Sequence, residues 1–123
     1  MKSLLIFCRN DKFVDDCGKG DLKNVQNLLE NGADVNAKHD GYTGLHLASK
    51  RGHNDIIKCL IVNNANIDEK DDKNGETPLM YAASECQTLV VKTLLLSGAD
   101  EKKECNGRTA FSKAKGDVKD ILE

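Results

Sequence analysis

Residues Thr43 to Ala48 read T-G-L-H-L-A, and related stretches follow further along the chain. The first half of the motif returns as T-P-L-M-Y-A from Thr77 to Ala82, and G-R-T-A-F at residues 107–111 opens a further copy. The glycines that precede the three copies are spaced 34 and 32 residues apart. A fixed period in this range is typical of repeat architectures, so the sequence predicts a structural unit that is used several times.

A second motif closes each unit. It reads G-A-D-V-N at residues 32–36, N-A-N-I-D at 64–68 and G-A-D at 98–100. The separation is 22 residues both from Thr43 to Ala65 and from Thr77 to Ala99, whereas the connectors that follow the units vary between 10 and 12 residues. A constant body with a variable connector indicates a packed unit joined by surface loops, because insertions are tolerated where nothing packs.

These motifs resemble ankyrin repeats, whose signature is T-P-L-H-x-A in a period of about 33 residues. The resemblance covers residues 13–122 and implies an all-α solenoid of stacked helix-turn-helix pairs joined by β-hairpin-like loops. It places repeats at about 13–40, 41–74 and 75–106, and a shortened, more polar C-terminal cap at 107–123. A terminal repeat has one face without a neighbour. Residues 1–12 are therefore predicted to form an N-terminal cap, in which Leu4, Leu5, Ile6 and Phe7 cover the first repeat.

Local signals place the helix ends within these units. We expect the first helix to begin at Phe13, and Asp21, like Thr43, has a side chain suited to capping a helix N-terminus. Two residues depart from the family pattern. Gly44 stands where Pro is usual and should cost some helix stability, and Asp16 stands where a small apolar residue normally packs.

Composition narrows the classes of partner. The net charge is −2, aromatic residues make up 4 % of the chain and Trp is absent, which argues against nucleic acid and membrane surfaces as partners. The five cysteines are odd in number and form no C-x-x-C pair, which disfavours a disulfide framework or a zinc site. The N-terminal apolar run, Leu4 to Cys8, is too short for a signal peptide. We therefore expect a cytoplasmic or nuclear location.

The residues that usually carry chemistry have structural interpretations here. The resemblance gives His46 and His53 structural roles, and neither has a patterned third ligand that would indicate a metal site. The acidic run from Asp68 to Lys73 lacks the glycine and the final glutamate of a calcium loop, so a solvated hairpin is expected. We predict neither a catalytic residue nor a cofactor. The alternative from a different class is an enzyme that uses a reactive thiol, such as Cys59 or Cys86.

The resemblance implies that another protein binds across the hairpin fingers and the concave groove. An inhibitor that blocks a partner enzyme is the alternative within this function, and a nucleic-acid binder is a third option. Tyr42 and Arg51 are the expected anchors, because these residue types are enriched at binding hot spots. His39 is expected to be exposed at a loop tip. The predicted partner-binding residues are His39, Asp40, Tyr42, Lys50, Arg51, Lys73, Asn74, Glu76, Ser84, Glu85 and Arg108.

Three apolar residues fall at positions of the second helices that are usually polar, namely Val62, Leu89 and Leu96. Leu89 and Leu96 are seven residues apart and share a helix face. They predict a small apolar patch on the convex side, which would support weak self-association. The alternative is that all three pack beneath a neighbouring helix.

Overall fold

A computed structural model describes residues 2–122, and it describes side chains from Arg9 onward. The elements of this part of the chain are α1 (Lys2–Lys19), α2 (Leu22–Glu30), β1 (Lys38–His39), β2 (Tyr42–Thr43), α3 (Gly44–Arg51), α4 (Asn54–Val62), α5 (Pro78–Ser84), α6 (Thr88–Leu96), α7 (Ala110–Lys113) and α8 (Val118–Leu122). The helices form four helix-turn-helix pairs, which confirms the predicted all-α repeat architecture. Between residues 2 and 122, no helix is both long and apolar enough to cross a membrane.

The helix pairs stack side by side in two layers. Helices α1, α3, α5 and α7 pack in sequence to form a first-helix layer, and α2, α4, α6 and α8 pack in sequence to form a second-helix layer. One continuous apolar core lies between the layers, and its largest fully buried side chains include Phe13, Leu45, Ile56, Leu79 and Leu94. A single pair cannot bury its apolar face, so each unit depends on its neighbours for stability.

The threonine of the repeated motif begins each first helix after α1. The side chains of Thr43, Thr77 and Thr109 accept a hydrogen bond from the backbone N–H three residues further on, with donor–acceptor distances of 3.2, 3.3 and 3.4 Å. Asp21 caps α2 in the same way at 3.1 Å. These contacts satisfy N–H groups that have no partner inside the helix. The caps predicted at Asp21 and Thr43 are confirmed.

The predicted start of the first helix at Phe13 is wrong, because α1 already begins at Lys2. Neither Gly nor Pro occurs between Lys2 and Cys17, so nothing in the backbone interrupts the helix there. The predicted boundary at residue 12 therefore lies inside a helix. The prediction that Leu4 to Phe7 cover the first repeat concerns side chains outside the described residues.

Asp16 departs from the family pattern without preventing the packing of α1. Its side chain is buried, with 3 % exposure for the residue, and its neighbours Phe13, Val14 and Cys17 are still fully buried, as the repeat requires. The Asp16 carboxylate lies 3.4 Å from the ammonium group of Lys12, one helical turn earlier. An ion pair of this kind compensates part of the cost of burying a carboxylate.

Gly44 has a packing reason that the sequence did not reveal. A Cβ atom at this position would lie 2.6 Å from the Cys17 sulfur and 3.0 Å from the Cys17 Cβ. Helix α1 therefore approaches α3 so closely that only glycine fits at the start of α3. Glycine costs some helix stability at this position, but it allows the close packing of two neighbouring repeats.

The closing motif of each repeat bonds to the repeat that follows. The Asn36 side-chain oxygen accepts a hydrogen bond from the Asn66 backbone N–H at 2.7 Å, and the Asp68 carboxylate accepts one from the Asp100 N–H at 2.9 Å. These pairs are separated by 30 and 32 residues and occupy equivalent positions in successive repeats. The side chain that ends one repeat thus orders the backbone of the next.

Helix α1 supplies the same contact to the first repeat. The side-chain oxygen of Asn10 accepts a hydrogen bond from the Asp34 backbone N–H at 2.9 Å. Asp34 occupies the position that Asn66 and Asp100 occupy in the later repeats. The N-terminal part of α1 therefore takes the place of a preceding repeat at this loop, although it is a helix and not a loop itself.

We expect Asn10→Ala to lower the free energy of unfolding by about 1 kcal/mol, because the Asp34 N–H loses its acceptor. Urea denaturation measures this change. Asn10→Asp keeps an acceptor oxygen and should retain most of the stability. Asn24→Ala on α2, whose side chain makes no described hydrogen bond, controls for helix propensity. Equal effects of the two alanine substitutions would contradict the role given to Asn10.

We also expect Gly44→Ala to destabilise the fold by roughly 1–3 kcal/mol, because its Cβ overlaps the Cys17 sulfur. Cys17→Ala removes that sulfur and should recover part of the loss, so the double variant should be more stable than the sum of the single changes predicts. Chemical denaturation of the four proteins completes this cycle. Additive losses would show that the two residues do not contact each other.

Candidate functional site

Three loops project from the first-helix layer, and we call them finger 1 (residues 38–43), finger 2 (70–76) and finger 3 (105–108). Finger 1 is a two-residue antiparallel hairpin whose tip residues, Asp40 and Gly41, have φ of 53° and 87°. Finger 3 has the same turn at Asn106 and Gly107, with φ of 53° and 76°. Positive φ at both central residues is the geometry that matches the twist of the flanking strands.

Finger 2 is held by a side chain instead. One carboxylate oxygen of Asp71 accepts hydrogen bonds from the backbone N–H groups of Lys73, at 2.9 Å, and Asn74, at 2.6 Å. The other oxygen accepts from the Glu76 N–H at 3.2 Å and from the Tyr81 hydroxyl at 2.7 Å. Asp71 thus closes the loop from within and ties it to helix α5.

The expectation of a solvated hairpin from Asp68 to Lys73 is therefore wrong at Asp71, which is only 3 % exposed. Burial opposes ionisation of this carboxyl group, but the hydrogen bonds it accepts outweigh burial and lower its pKa from the ordinary value of 3.8. Asp71 is a structural anion at neutral pH. Its charge is used inside the protein and is not presented to a ligand.

Three rings meet where fingers 1 and 2 join the helices. Tyr42, His46 and Tyr81 contact one another edge to face, with centroid separations of 6.5 Å (Tyr42–His46), 6.1 Å (Tyr42–Tyr81) and 5.8 Å (His46–Tyr81). The ammonium group of Lys73 lies 5.7 Å from the centroid of the Tyr42 ring, within the range of a cation–π contact. The cluster fixes the orientation of Tyr42 on the surface.

His46 is the polar centre of this cluster. Its Nδ1 accepts hydrogen bonds from the Thr43 N–H at 3.2 Å and from the Thr43 hydroxyl at 2.7 Å, and its Nε2 donates to the Glu76 carbonyl at 2.9 Å. These partners require the neutral tautomer that carries hydrogen on Nε2. Burial lowers the pKa of His46 below its ordinary value of 6.5, which favours the same form. The structural role predicted for His46 is confirmed.

Two depressions lie on this surface. The smaller, of about 100 Å³, is called the tyrosine pocket and is lined by Tyr42, His46, Leu47, Lys50, Arg51 and Tyr81. The larger, of about 700 Å³, is called the finger cleft and is lined by Lys73, Asn74, Glu76, Cys105, Asn106, Arg108 and Lys113. We use the term groove face for the two depressions and the three fingers together.

The structure places most of the predicted partner-binding residues on these depressions. Three of them line the tyrosine pocket, namely Tyr42, Lys50 and Arg51. Four line the finger cleft, namely Lys73, Asn74, Glu76 and Arg108. Four line neither depression, namely His39, Asp40, Ser84 and Glu85. The predicted set is thus divided between two neighbouring depressions, and its role in binding a partner stays a prediction.

His39 is more constrained than expected for a loop tip. Its Nδ1 lies 3.0 Å from the Asp11 carboxylate of α1, its Nε2 lies 3.4 Å from the Asp40 carboxylate, and its side chain is half-buried. The hydrogen bond to Asp11 raises the pKa of His39, and with the charges around the ring it outweighs burial, which lowers the pKa. The expectation of a freely exposed His39 is wrong, because the ring connects finger 1 to α1.

Other predicted residues also hold intramolecular contacts. The Arg51 guanidinium donates to the Gly18 carbonyl at 2.9 Å, and His53, predicted to be structural, contacts the same carbonyl at 3.1 Å. The Glu76 carboxylate forms an ion pair with Lys113. Arg51 and Glu76 therefore contribute to the stack as well as to the surface.

The sequence interpretation missed Tyr81 and Lys113 as residues that line the two depressions. Both stand four residues after the threonine that begins their helix, and Leu47 stands at the same position of α3. All three line one of the two depressions. The sequence did contain an indication of this. The position holds an aliphatic residue in the first copy, an aromatic residue in the second and a cationic residue in the third, whereas a core position stays apolar in every repeat.

Cys17 and Cys59 show no sign of activation. Burial raises the pKa of Cys17 far above its ordinary range, and burial together with the Asp55 charge raises the pKa of Cys59. An activated nucleophile needs the opposite shift. In the part of the chain that the structure describes, no cluster of three or more His, Cys, Asp or Glu side chains could hold a metal ion.

The apolar residues predicted on the second-helix layer are exposed. Val62, Leu89 and Leu96 have exposures of 80, 62 and 90 %. The alternative that they pack beneath a neighbouring helix is therefore wrong, because their helices bury Val90, Leu94 and the residues equivalent to them instead. Weak self-association through this patch stays a prediction.

Comparison with known proteins agrees with the repeat architecture. A family model described as ankyrin repeats, in three copies, matches residues 14–105. Delta-latroinsectotoxin-Lt1a of Latrodectus tredecimguttatus is 44 % identical over 75 residues, which are 59 % of this chain and 6 % of the toxin. Ankyrin repeat domain-containing protein 40 of Mus musculus is 33 % identical over 87 residues, covering 69 % of this chain and 23 % of that protein.

A third relative is the 2-5A-dependent ribonuclease of Mus musculus, which is 46 % identical over 66 residues. That match covers 52 % of this chain and 9 % of the ribonuclease. The chain thus spans less than a quarter of the length of each of these three relatives, and the similarity concerns their repeats.

The two histidines predict opposite effects of pH on stability. Because the pKa of His46 is lowered, its neutral ring contributes fully to the stability of the fold above pH 6.5, the ordinary pKa of histidine. This stabilisation is lost as the pH falls below 6.5. The raised pKa of His39 means that its contribution is complete below pH 6.5 and is lost as the pH rises through the raised value. Denaturation at pH 5 and pH 7 separates the two effects in variants.

We expect His46→Met, which copies Met80 at the equivalent position, to lower stability at pH 7 by about 1–3 kcal/mol because it leaves buried polar groups unpaired. The same variant should lose less stability than the wild type between pH 7 and pH 5. Over the same pH range His39→Gln should lose more stability than the wild type, because the stabilisation that protonated His39 provides at low pH is removed. Parallel curves for the wild type and His46→Met would contradict the neutral, buried state assigned to His46.

Proposed function

The chain belongs to the ankyrin repeat family, whose repeats generally act as protein–protein interaction modules, and we propose that it binds a partner protein through the groove face. The binding is non-catalytic in this proposal. Blocking the active site of a partner enzyme is a more specific form of the same function. The word ribonuclease in the name of one relative describes that protein, of which the match covers 9 %, and it transfers no activity to this chain.

The observation that carries this proposal is the rigidity of the groove face. The Asp71 carboxylate accepts three hydrogen bonds inside finger 2 and a fourth from Tyr81 of α5, and the His46 ring bonds to both neighbouring fingers. Tyr42 is held between two rings and a lysine. A surface whose side chains are already fixed loses little conformational entropy when a partner binds.

The state of the cysteines supports both the non-catalytic function and a reducing location. The thiols of Cys17, Cys59, Cys86 and Cys105 are free. The raised pKa values of Cys17 and Cys59 disfavour a thiol-dependent enzyme that would use either of them. Free thiols suit a reducing compartment. We therefore propose a cytoplasmic location for the protein, with the nucleus as the alternative.

A pair of charge swaps tests the groove face against the opposite side of the molecule. Lys50→Glu with Glu85→Lys exchanges two exposed charges, one on α3 in the tyrosine pocket and one directly after α5, which packs beside α3. Neither residue has an ion pair among the described residues. Lys23→Glu with Glu30→Lys makes the same exchange on α2, in the second-helix layer. Both doubles keep the net charge, and both should melt within a few degrees of the wild type.

We expect the wild type and the α2 double to retain a partner captured from an extract of the source cells. The groove double should bind that partner at least about tenfold more weakly. Quantitative pull-down followed by titration of the purified partner measures this difference. Retention by the groove double with loss by the α2 double would move the binding surface to the second-helix layer. Equal retention by all three proteins would contradict binding through the part of the groove face that Lys50 lines.

A further inference from the structure

We infer that the groove face recognises an acidic segment of its partner, in which Asp or Glu side chains of an extended peptide contact the finger cleft and the tyrosine pocket. This inference rests on the proposed function and specifies the chemistry of the partner. Its basis is the way in which the protein pairs its own charges near the fingers.

The acidic appearance of finger 2 is cancelled by internal contacts. The ammonium group of Lys38 lies 2.8 Å from the Asp72 carboxylate and 3.2 Å from that of Glu69. The Asp71 carboxylate is buried and accepts hydrogen bonds from its own loop and from Tyr81. Each of these three carboxylates is therefore occupied by a partner within the protein.

Most of the lysine and arginine side chains next to these carboxylates are not paired with any carboxylate that the structure describes. Across residues 9–122, Lys73 and Arg108 form no ion pair, and both line the finger cleft. Lys113 also lines the cleft, where it balances the single carboxylate, that of Glu76. Three cationic side chains thus face one anionic side chain, which leaves the cleft with an excess of two positive charges.

The tyrosine pocket adds to this excess. Lys50 and Arg51 line it, and no carboxylate does. The Arg51 guanidinium donates to the Gly18 carbonyl, which uses part of its hydrogen-bonding capacity but none of its charge. Five cations and one carboxylate therefore line the two depressions, in a chain that has 20 acidic and 18 basic residues. The positive charge of the two depressions arises from the arrangement of charges and not from the composition.

The two depressions adjoin, so one extended peptide can contact both. Lys73 of the finger cleft lies over the ring of Tyr42 in the tyrosine pocket, at 5.7 Å from its centroid. Asn74 of the cleft donates a hydrogen bond to the Tyr81 hydroxyl at 3.1 Å. Carboxylates of a bound segment would pair with lysine and arginine while its apolar atoms contact the tyrosine.

Three fluorescein-labelled peptides of twelve residues serve as probes, with Glu, Gln or Lys alternating with Gly. We expect only the Glu peptide to raise the anisotropy, with an affinity that falls several-fold between 50 and 300 mM salt because the contacts are exposed. Lys73→Ala with Arg108→Ala should weaken binding about fivefold or more, as expected for two exposed charge contacts. Lys23→Ala with Lys92→Ala, the same charge change on the second-helix layer, should leave the affinity within about twofold.

Two results would overturn the inference. One is the absence of any preference for the Glu peptide over the Gln peptide, and the other is an equal loss in both double variants, which would indicate attraction to the whole surface. A twelve-nucleotide single-stranded DNA that binds more tightly than the Glu peptide, and is released by Lys73→Ala with Arg108→Ala, would assign the face to nucleic acid and also reject it. If the Glu peptide fails while the Lys50–Glu85 charge swap still loses a captured partner, the proposed function stands and only the acidic chemistry is wrong.

Discussion

The groove face depends on one buried imidazole that has to stay neutral. His46 accepts hydrogen bonds at Nδ1 from Thr43, at the base of finger 1, and donates from Nε2 to the Glu76 carbonyl, at the base of finger 2. One ring therefore fixes the separation of two fingers, and its edge packs against the rings of Tyr42 and Tyr81. The next repeat has Met80 at this position, which cannot make the same bonds.

Much of the fold was predictable from the sequence because the residues that cap the helices and form the turns recur at the same position in several repeats. Thr43 caps its helix as predicted, and Thr77 does the same at the equivalent motif position. Asn64 stands where the other repeats have a closing glycine, and its backbone is left-handed with φ of 65°. The start of α1 was not predictable in this way. The repeat pattern ends near Phe13, and the helix continues toward Lys2 because nothing interrupts it, which is a property that motif matching does not register.

The site was predictable in position but not in its charge. The sequence indicated that Lys73 and Arg108 would lie on the fingers, and they do. The sequence did not indicate that Asp71 is buried within its own loop, because that depends on how the loop folds around its carboxylate. It also did not indicate that Lys38 pairs with Asp72, because that depends on the distance between two adjacent fingers. A count of charges along the chain treats these carboxylates as exposed, and only the folded arrangement shows which are available.

The glycine dipeptides of the three fingers also determine how the protein ages chemically. Each finger contains an Asp-Gly or Asn-Gly dipeptide, at residues 40–41, 74–75 and 106–107. Both residues have positive φ at the tips of fingers 1 and 3, whereas in finger 2 only Gly75 does. In such dipeptides the glycine nitrogen readily attacks the carbonyl carbon of the preceding side chain. Asparagine releases ammonia as a succinimide forms, and water then opens the ring to a carboxylate. At Asn74 or Asn106, both of which line the finger cleft, this reaction replaces a neutral amide by a carboxylate. Stored protein would thus gain negative charge in the cleft that Lys73, Arg108 and Lys113 line.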